Sequence, residues 1–391
     1  MNFKIKFSGK GHEYTQEEIE TVVHAMKTAE PYTQGAYQKA FEQKLCDYIG
    51  ANHAFAVNNA TAALELAAQL CQFQSGDEII IPSHTFTSSA YPFAKKGARI
   101  VWADIDLPTR VVTADTIKQK ITPKTKAIVV VHLYGYAADM PAITKLAKEK
   151  GILLIEDAAQ SMGTSVDGKK SGTFGDIGAF SLHSHKNITT LGEGGVIAVK
   201  DPKMANIIPM LRHNGHCPFP YEREHYWIPA MGNVDFPERN GQVLWPNNYC
   251  MGEVECALGA KLLERLDQMN LEKRTRALYF IDSLQQYDAL EFHRVDSDRH
   301  NYHLLAARVT NGRRDDIMKL MAYEKGIQCV VQYYPLNRYP FYQKLGFGEA
   351  GCPNTDLFFD NMISFPFHHW MSDEDFEYML QSTREVLEQL L

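Results

Sequence analysis

Residues 176–195, Asp-Ile-Gly-Ala-Phe-Ser-Leu-His-Ser-His-Lys-Asn-Ile-Thr-Thr-Leu-Gly-Glu-Gly-Gly, place a single lysine, Lys186, just beyond an apolar run. Residues 177–182 read as a strand buried on both faces, and 196–199 as a second short strand after the Gly-Glu-Gly-Gly turn. A lysine where a strand ends can be held beside a ligand and partly desolvated, which lowers its pKa and makes it nucleophilic. An isolated loop lysine is ordinarily just solvated. The reading therefore turns on what the rest of the chain brings alongside it.

Upstream the chain repeats one rhythm, strand then helix. Strands are expected at 54–57, 78–81, 99–103, 127–132 and 152–155, the last ending at Glu156-Asp157. Helices are expected at 62–70, from 83–86 through Phe93, and at 140–150. The strands are short and nearly unbroken in hydrophobicity, which implies an α/β fold with a mostly parallel sheet covered by helices on both sides. Ligands collect at the carboxyl ends of such strands. That rule brings residues 58–61, 83–86, 132–134, Asp157 and 183–186 to one rim.

Before this rhythm, 11–28 reads as a helix capped by Thr15 with Glu18 closing a capping box, and 36–49 as an amphipathic helix carrying Phe41, Leu45 and Tyr48. After it, 211–247 holds Pro218, Pro220, Pro229 and Pro237 with little periodicity, and reads as a long irregular loop on the substrate side. A long helix is expected from 252 towards 284, followed by a strand at 304–309, a helix at 315–325, strands at 328–333 and 362–364, and a closing helix from Asp373. A chain of 391 residues exceeds one small core. We divide it into a large domain, 1–250, and a smaller α+β domain, 251–391, joined by the long helix.

Composition narrows the function classes. A net charge of −7 without a basic block argues against nucleic acid or an anionic membrane as partner. The opening residues lack the apolar core of a signal peptide, and no run is long enough to span a bilayer, so a cytoplasmic location is expected. Seven scattered cysteines with no Cys-x-x-Cys pair indicate neither a disulfide framework nor a metal site.

The rim residues have complementary chemistries. Asn58-Asn59-Ala60-Thr61-Ala62 lies between a strand and a helix start, where exposed N–H groups and a hydroxyl favour an anion. Asp157 ends a very apolar strand and needs a partner there. Phe86 offers an aromatic plane. Pyridoxal phosphate needs these groups together: a lysine for a Schiff base, a carboxylate for the pyridine nitrogen, a phosphate cup and a ring to stack on.

The ordered motifs Asn-Ala-Thr-Ala-Ala-Leu (59–64), Pro-Ser-His-Thr-Phe (82–86), His-Leu-Tyr-Gly (132–135), Glu-Asp-Ala-Ala-Gln (156–160), Gly-Asp-Ile-Gly-Ala-Phe-Ser-Leu-His (175–183) and Lys-Asn-Ile-Thr-Thr with Gly-Glu-Gly-Gly (186–195) resemble the DegT/DnrJ/EryC1/StrS family of aminotransferases, which act mainly on nucleotide-linked keto sugars. The likeness runs from about Tyr32 to the C-terminus. It implies an aspartate aminotransferase-like (type I) fold, pyridoxal 5'-phosphate as cofactor, glutamate as amino donor, a nucleotide-sugar substrate and a homodimer with shared active sites.

By the same resemblance, Lys186 corresponds to the Schiff-base lysine, Asp157 to the pyridinium partner and Gln160 to a residue beside the ring. Thr61 with the amides of Ala60 and Ala62 corresponds to the phosphate cup, Ser181 to a further phosphate ligand and Phe86 to the stacking ring. Asn248 corresponds to a residue reaching the phosphate from the neighbouring subunit. His183, Arg212, His213, His216, Tyr226, Trp227 and Arg239 are candidate substrate contacts, since arginine grips phosphate and aromatics stack on a base or sugar.

Three departures stand out: Ala60 where glycine is common, the extra Leu191, and Cys250 in place of an arginine. Cys250 and the long loop leave a small phosphorylated ketone open as alternative substrate. A pyridoxal-phosphate-binding regulatory protein without turnover is the non-enzymatic alternative. A sugar dehydratase of the same family would carry histidine at the lysine position, which Lys186 opposes.

Overall fold

In the computed structural model, which describes residues 2–219 and 232–390, a seven-stranded sheet organises the chain. Its strands are β1 (His53–Val57), β2 (Glu78–Pro82), β3 (Arg99–Ala103), β4 (Thr125–Val131), β5 (Leu153–Asp157), β6 (Ile177–Ser181) and β7 (Gly195–Val199). Their spatial order is β1-β7-β6-β5-β4-β2-β3. Every residue of β2, β6 and β7 is buried, as strands covered on both faces require.

Four adjacent pairs, β3/β2, β2/β4, β4/β5 and β5/β6, are parallel, while β7 runs antiparallel to both β6 and β1. Antiparallel pairing sets Gly195, at the start of β7, opposite both Ser181 and Val57. The carboxyl ends of β1, β5 and β6 and the start of β7 therefore share one rim. The chain leaves β2 for the edge strand β3 and returns to β4 on the other side of β2, a reversal of the kind that opens a ligand crevice.

The N-terminal helix Gln16–Thr28 carries the expected capping box of Thr15 and Glu18. The helix Ala36–Ile49 starts at Gly35, which has no side chain to cap with; the Glu253 carboxylate caps it instead, accepting from the N–H groups of Gly35 and Tyr37, each at 2.8 Å. This helix and Glu253–Leu262 approach at Gly259, where an added Cβ would sit 2.7 Å from the Phe41 ring. Phe41, Leu45, Phe180, Leu262 and Leu266 share one apolar cluster there. Truncating a fully buried phenylalanine such as Phe41 costs roughly 3–5 kcal/mol.

Farther along, the three-stranded sheet Leu290–Phe292, Leu305–Val309 and Met362–Phe365 packs against the closing helix Asp373–Leu390 through Phe280, Phe365, Phe376 and Leu380. Among the described residues no helix is long and apolar enough to cross a membrane.

Four segments differ from expectation. Residues 83–93 form a short 3-10 turn, Thr87–Ser89, and a brief helix, Tyr91–Lys95, because the hydroxyls there bond to one another and to Asp157 rather than leaving the backbone to wind freely. The single long helix from 252 is two, Glu253–Leu262 and Leu266–Asp282. They break where the Arg265 guanidinium turns to the Glu18 carboxylate at 2.5 and 2.9 Å. Residues 328–333 form no strand: Gln328 donates once to the Ile5 carbonyl, Val330 exchanges one pair of backbone bonds with Ser364, and the segment then enters a cavity wall. The 211–247 region holds two small antiparallel ribbons, His216–Cys217 with Asn233–Val234 and Glu238–Arg239 with Gln242–Val243.

Candidate active site

A cavity of about 420 Å³ opens at the rim where β1, β5 and β6 end. Lys186, Asp157, Gln160, Ser181, Phe86, Ala60 and Thr61 all line it, as does His183. Lys186 is only partly buried as a residue, because its side chain faces the cavity. Desolvation nevertheless pushes its ammonium down to about 8, against the opposing pull of the Asp157 charge. Among the described residues Lys186 Nζ takes part in no hydrogen bond or ion pair.

Asp157 is buried, and its carboxylate is held from behind: Ser89 Oγ donates to one oxygen at 2.7 Å and the Ala159 N–H to the other at 3.1 Å. Its partners are thus a hydroxyl and an amide. Below it, burial pushes the Glu156 carboxyl up, but His132 and the amides of Gly175 and Gly172 outweigh burial and hold it below the usual range. His132 Nδ1 accepts from the Ala138 N–H, so the ring donates from Nε2 to Glu156 at 2.9 Å. This buried pair anchors the strand end that carries Asp157.

Gln160 is pinned by two groups: its carbonyl accepts from the Tyr134 N–H at 2.7 Å, and its amide donates to the Tyr333 hydroxyl at 3.0 Å. Tyr134 in turn donates to the Gln332 carbonyl at 2.6 Å and faces His84 Nε2 at 2.8 Å. Phe86 is 54% exposed, unusual for a phenylalanine beside a core, and stands edge-on to Tyr333 with ring centroids 6.2 Å apart.

The anion cup is built by close backbone approach. Asn59 caps the helix Ala60–Cys71 by accepting from the Ala62 N–H at 2.8 Å. That amide is taken, and Ala62 does not line the cavity, contrary to expectation; Ala60 and Thr61 do. A Cβ added to Gly195 would lie 2.3 Å from the Asn59 carbonyl carbon and 2.5 Å from Ala60 N, so only glycine lets β7 run under the helix start. Thr61 Oγ1 bonds to Ser88 Oγ at 2.9 Å, joining two hydroxyls at the same wall. Ser181 accepts from the His183 N–H at 3.3 Å.

The loop candidates lie elsewhere. Arg212 is buried, with Nη1 on the Glu42 carboxylate and on the Ala56 carbonyl at 2.7 Å; it ties helix Ala36–Ile49 to β1 and has no face towards the cavity. His213 pairs in the backbone with Asn248 and lies against His216, ring centroids 4.6 Å apart. Arg239 sits 3.5 Å from Asp201, which follows β7 at the end remote from Gly195. Asn248 is exposed and lines no part of its own chain's cavity. Tyr226 and Trp227 lie outside the described residues.

Ser88, Gln332, Tyr333 and Glu193 also line the cavity and are not among the sequence candidates; His185, within the 183–186 stretch expected at the rim, lines it too. Ser88 and Ser89 stood in plain view within Thr-Ser-Ser beside Phe86. Tyr333 was hidden by an apolar run that looked like a strand.

The set fits pyridoxal phosphate. The glycine-permitted cradle at Asn59–Thr61 with Ser88 and Ser181 supplies phosphate donors, Asp157 a carboxylate, Phe86 a ring face and Lys186 an amine of lowered basicity. Among the described residues no cluster of histidine, cysteine or acidic side chains could hold a metal ion.

Comparison with known proteins agrees. The model of the DegT/DnrJ/EryC1/StrS aminotransferase family matches residues 13–384. The spore coat polysaccharide biosynthesis protein SpsC of Bacillus subtilis is 31% identical, over 95% of each chain. The GDP-perosamine synthase of Caulobacter vibrioides is 32% identical, also over 95% of each. Among solved structures, the PLP form of the putative sugar aminotransferase Spr1654 from Streptococcus pneumoniae superposes with a TM-score of 0.85 at 27% identity, covering 100% of both chains. The chain belongs to the DegT/DnrJ/EryC1/StrS family and is a pyridoxal-phosphate-dependent aminotransferase of the aspartate aminotransferase-like fold.

Proposed function

We propose that this enzyme moves an amino group from glutamate to the ketone of a nucleotide-linked deoxy sugar, in two half-reactions at one site. The observation that carries the reading is a lysine of lowered basicity, a carboxylate held by Ser89 and Ala159, and a phosphate cradle lining the same cavity. The names of the relatives, a GDP-perosamine synthase and a polysaccharide biosynthesis protein, support the sugar.

Bound there, the cofactor would supply an electron-accepting ring. The protein does the rest. Lys186 Nζ would hold the cofactor covalently and, once displaced by the donor, would be the base that takes and carries the proton from the donor's Cα. Asp157 would present its carboxylate to the ring nitrogen, Phe86 would cover one ring face, and Ala60, Thr61, Ser88 and Ser181 would fix the phosphate. Among the described residues, His183, beside Lys186 on the same wall, is the substrate-side candidate that lines the cavity.

Asn248 supports a homodimer: it is exposed and removed from its own cavity, so a phosphate contact from it has to come from a second copy. Exposed Tyr32 and Trp245 offer apolar surface for that contact.

The test is a panel of nucleotide-keto sugars with glutamate or glutamine as donor, read by mass spectrometry for an amino-sugar product. Product with a nucleotide-linked ketone and glutamate is expected. Turnover of only small phosphorylated ketones would replace the substrate assignment, and bound cofactor that glutamate fails to bleach would replace the enzymatic one.

A further inference from the structure

Behind the lysine loop lies a chain of buried amides that the chemistry above does not use. Asn270 Nδ2 donates to the Met162 carbonyl at 3.1 Å, which fixes that side chain's orientation, because a backbone carbonyl only accepts. Asn270 Oδ1 therefore faces Asn187 and accepts from its Nδ2 at 2.9 Å. Asn187 Oδ1 is left facing His303 Nδ1 at 3.0 Å, so the imidazole must carry its hydrogen on Nδ1. Burial keeps that ring neutral, its pKa well below the usual value.

From His303 the network turns back to the cavity. The main-chain N–H of His303 donates to Asn301 Oδ1 at 3.0 Å, and Asn301 Nδ2 donates to the main-chain carbonyl of Gln160 at 3.1 Å. Asn270, Asn301 and His303 are each at most 9% exposed. Two glycines make room for the amides: a Cβ on Gly135 would sit 1.9 Å from Asn301 Oδ1, and one on Gly163 2.4 Å from Asn270 Nδ2. Both glycines have φ near +90°, where other residues are strained.

We infer that the His303 side chain is a positioning residue for Lys186: through Asn187 the imidazole fixes the backbone from which the lysine projects, while the main-chain amide of the same residue, through Asn301, joins it to the turn carrying Gln160. The network also ties both cavity residues to elements outside the large sheet, since Asn270 lies on Leu266–Asp282 and His303 just precedes Leu305–Val309. The consequence for catalysis rests on the reading of Lys186 as the cofactor's anchor; the consequence for loop order does not.

The test compares His303→Ala, His303→Asn and His303→Gln. Asparagine places an N–H near the position of Nδ1, glutamine near that of Nε2, and alanine places none. In cofactor-free protein, hydrogen exchange of amides 183–191 is expected to quicken about tenfold in His303→Ala and His303→Gln, the effect of losing one buried hydrogen bond, and to stay near wild type in His303→Asn. In loaded protein kcat is expected to fall about tenfold in the same two variants, with KM for glutamate within about twofold. The pH midpoint of the visible cofactor band should shift in the same two variants and return in His303→Asn.

Equal behaviour of the asparagine and alanine variants, or unchanged exchange in 183–191, overturns the inference. So does faster exchange spread evenly over Leu266–Asp282 and Leu305–Val309, which marks general loosening. Should His303→Ala not fold, Asn187→Ala breaks the same link from the loop side and carries the same expectations. Lys186→Ala separates the two levels: if it keeps turnover while the exchange pattern holds, the lysine reading fails and the positioning network stands.

Discussion

Lys186 and Lys273 are both stripped of water, and of the two only Lys186 faces a cavity. Desolvation pushes Lys186 down to about 8 and Lys273 to about 7, so basicity alone would favour Lys273 as the reactive amine. Their surroundings reverse that order. Lys273 is 7% exposed on Leu266–Asp282, donates to the His303 carbonyl at 2.9 Å and has Phe367 5.7 Å from its charge. Lys186 opens onto about 420 Å³ of space walled by Asp157 and a helix N-terminus. A lowered pKa shows that a group is desolvated; access, an opposing charge and an anion cradle show that it can react.

Substitution at the two lysines sharpens the contrast most. Lys186→Ala should abolish the visible cofactor band and lower turnover by on the order of 10³-fold or more, whereas Lys273→Met should keep the band and most of the turnover. Equal losses at both would erase the distinction. Next comes the opposing charge. Asp157→Asn should cut turnover by on the order of 10²-fold with the fold unchanged by circular dichroism, because the aligned negative charge is lost while the shape remains. Gly195→Ala should follow. Its Cβ collides with backbone at Asn59 and Ala60, and a displacement of this size at the phosphate cradle should weaken cofactor affinity by about 10²-fold in an equilibrium titration.

The last effect is on stability and leaves the chemistry untouched. Lys273 has a folded pKa of about 7, below its ordinary 10.5. Between those values the unfolded chain holds a proton that the folded chain has released, so stability should climb with pH across this window, by at most about 1.4 kcal/mol per pH unit. Below about 7 both states are protonated and the contribution is flat. Denaturant melts at stepped pH should show this slope in the wild type and a flatter line in Lys273→Met.

What the sequence disclosed follows physical range. The Thr15–Glu18 box, the helix Ala36–Ile49 and the all-apolar strands depend on neighbours a few residues away, and these were read correctly. The rim followed from strand direction, which gathers Asn59, Asp157 and Lys186 without any knowledge of packing. Features set by distant partners were hidden. Glu253 caps a helix from 218 positions away, and another ends near Arg265, whose guanidinium is held by the distant Glu18. Arg212 looked like a phosphate ligand in a polar loop, yet it is buried on Glu42. Lys273 sits in Leu-Glu-Lys-Arg-Thr-Arg, a run that reads as a solvated helix face, and only the packing around His303 and Phe367 buries it. Tyr333 was masked because an apolar run entering a cavity wall has the same composition as a strand.

The contrast between the two lysines can be tested in one step. Protein loaded with pyridoxal phosphate is reduced with borohydride, digested, and searched by mass spectrometry for the modified side chain. The structure predicts the pyridoxyl mass on Lys186 alone, with Lys273 unmodified; label on Lys273, or on neither, would contradict it.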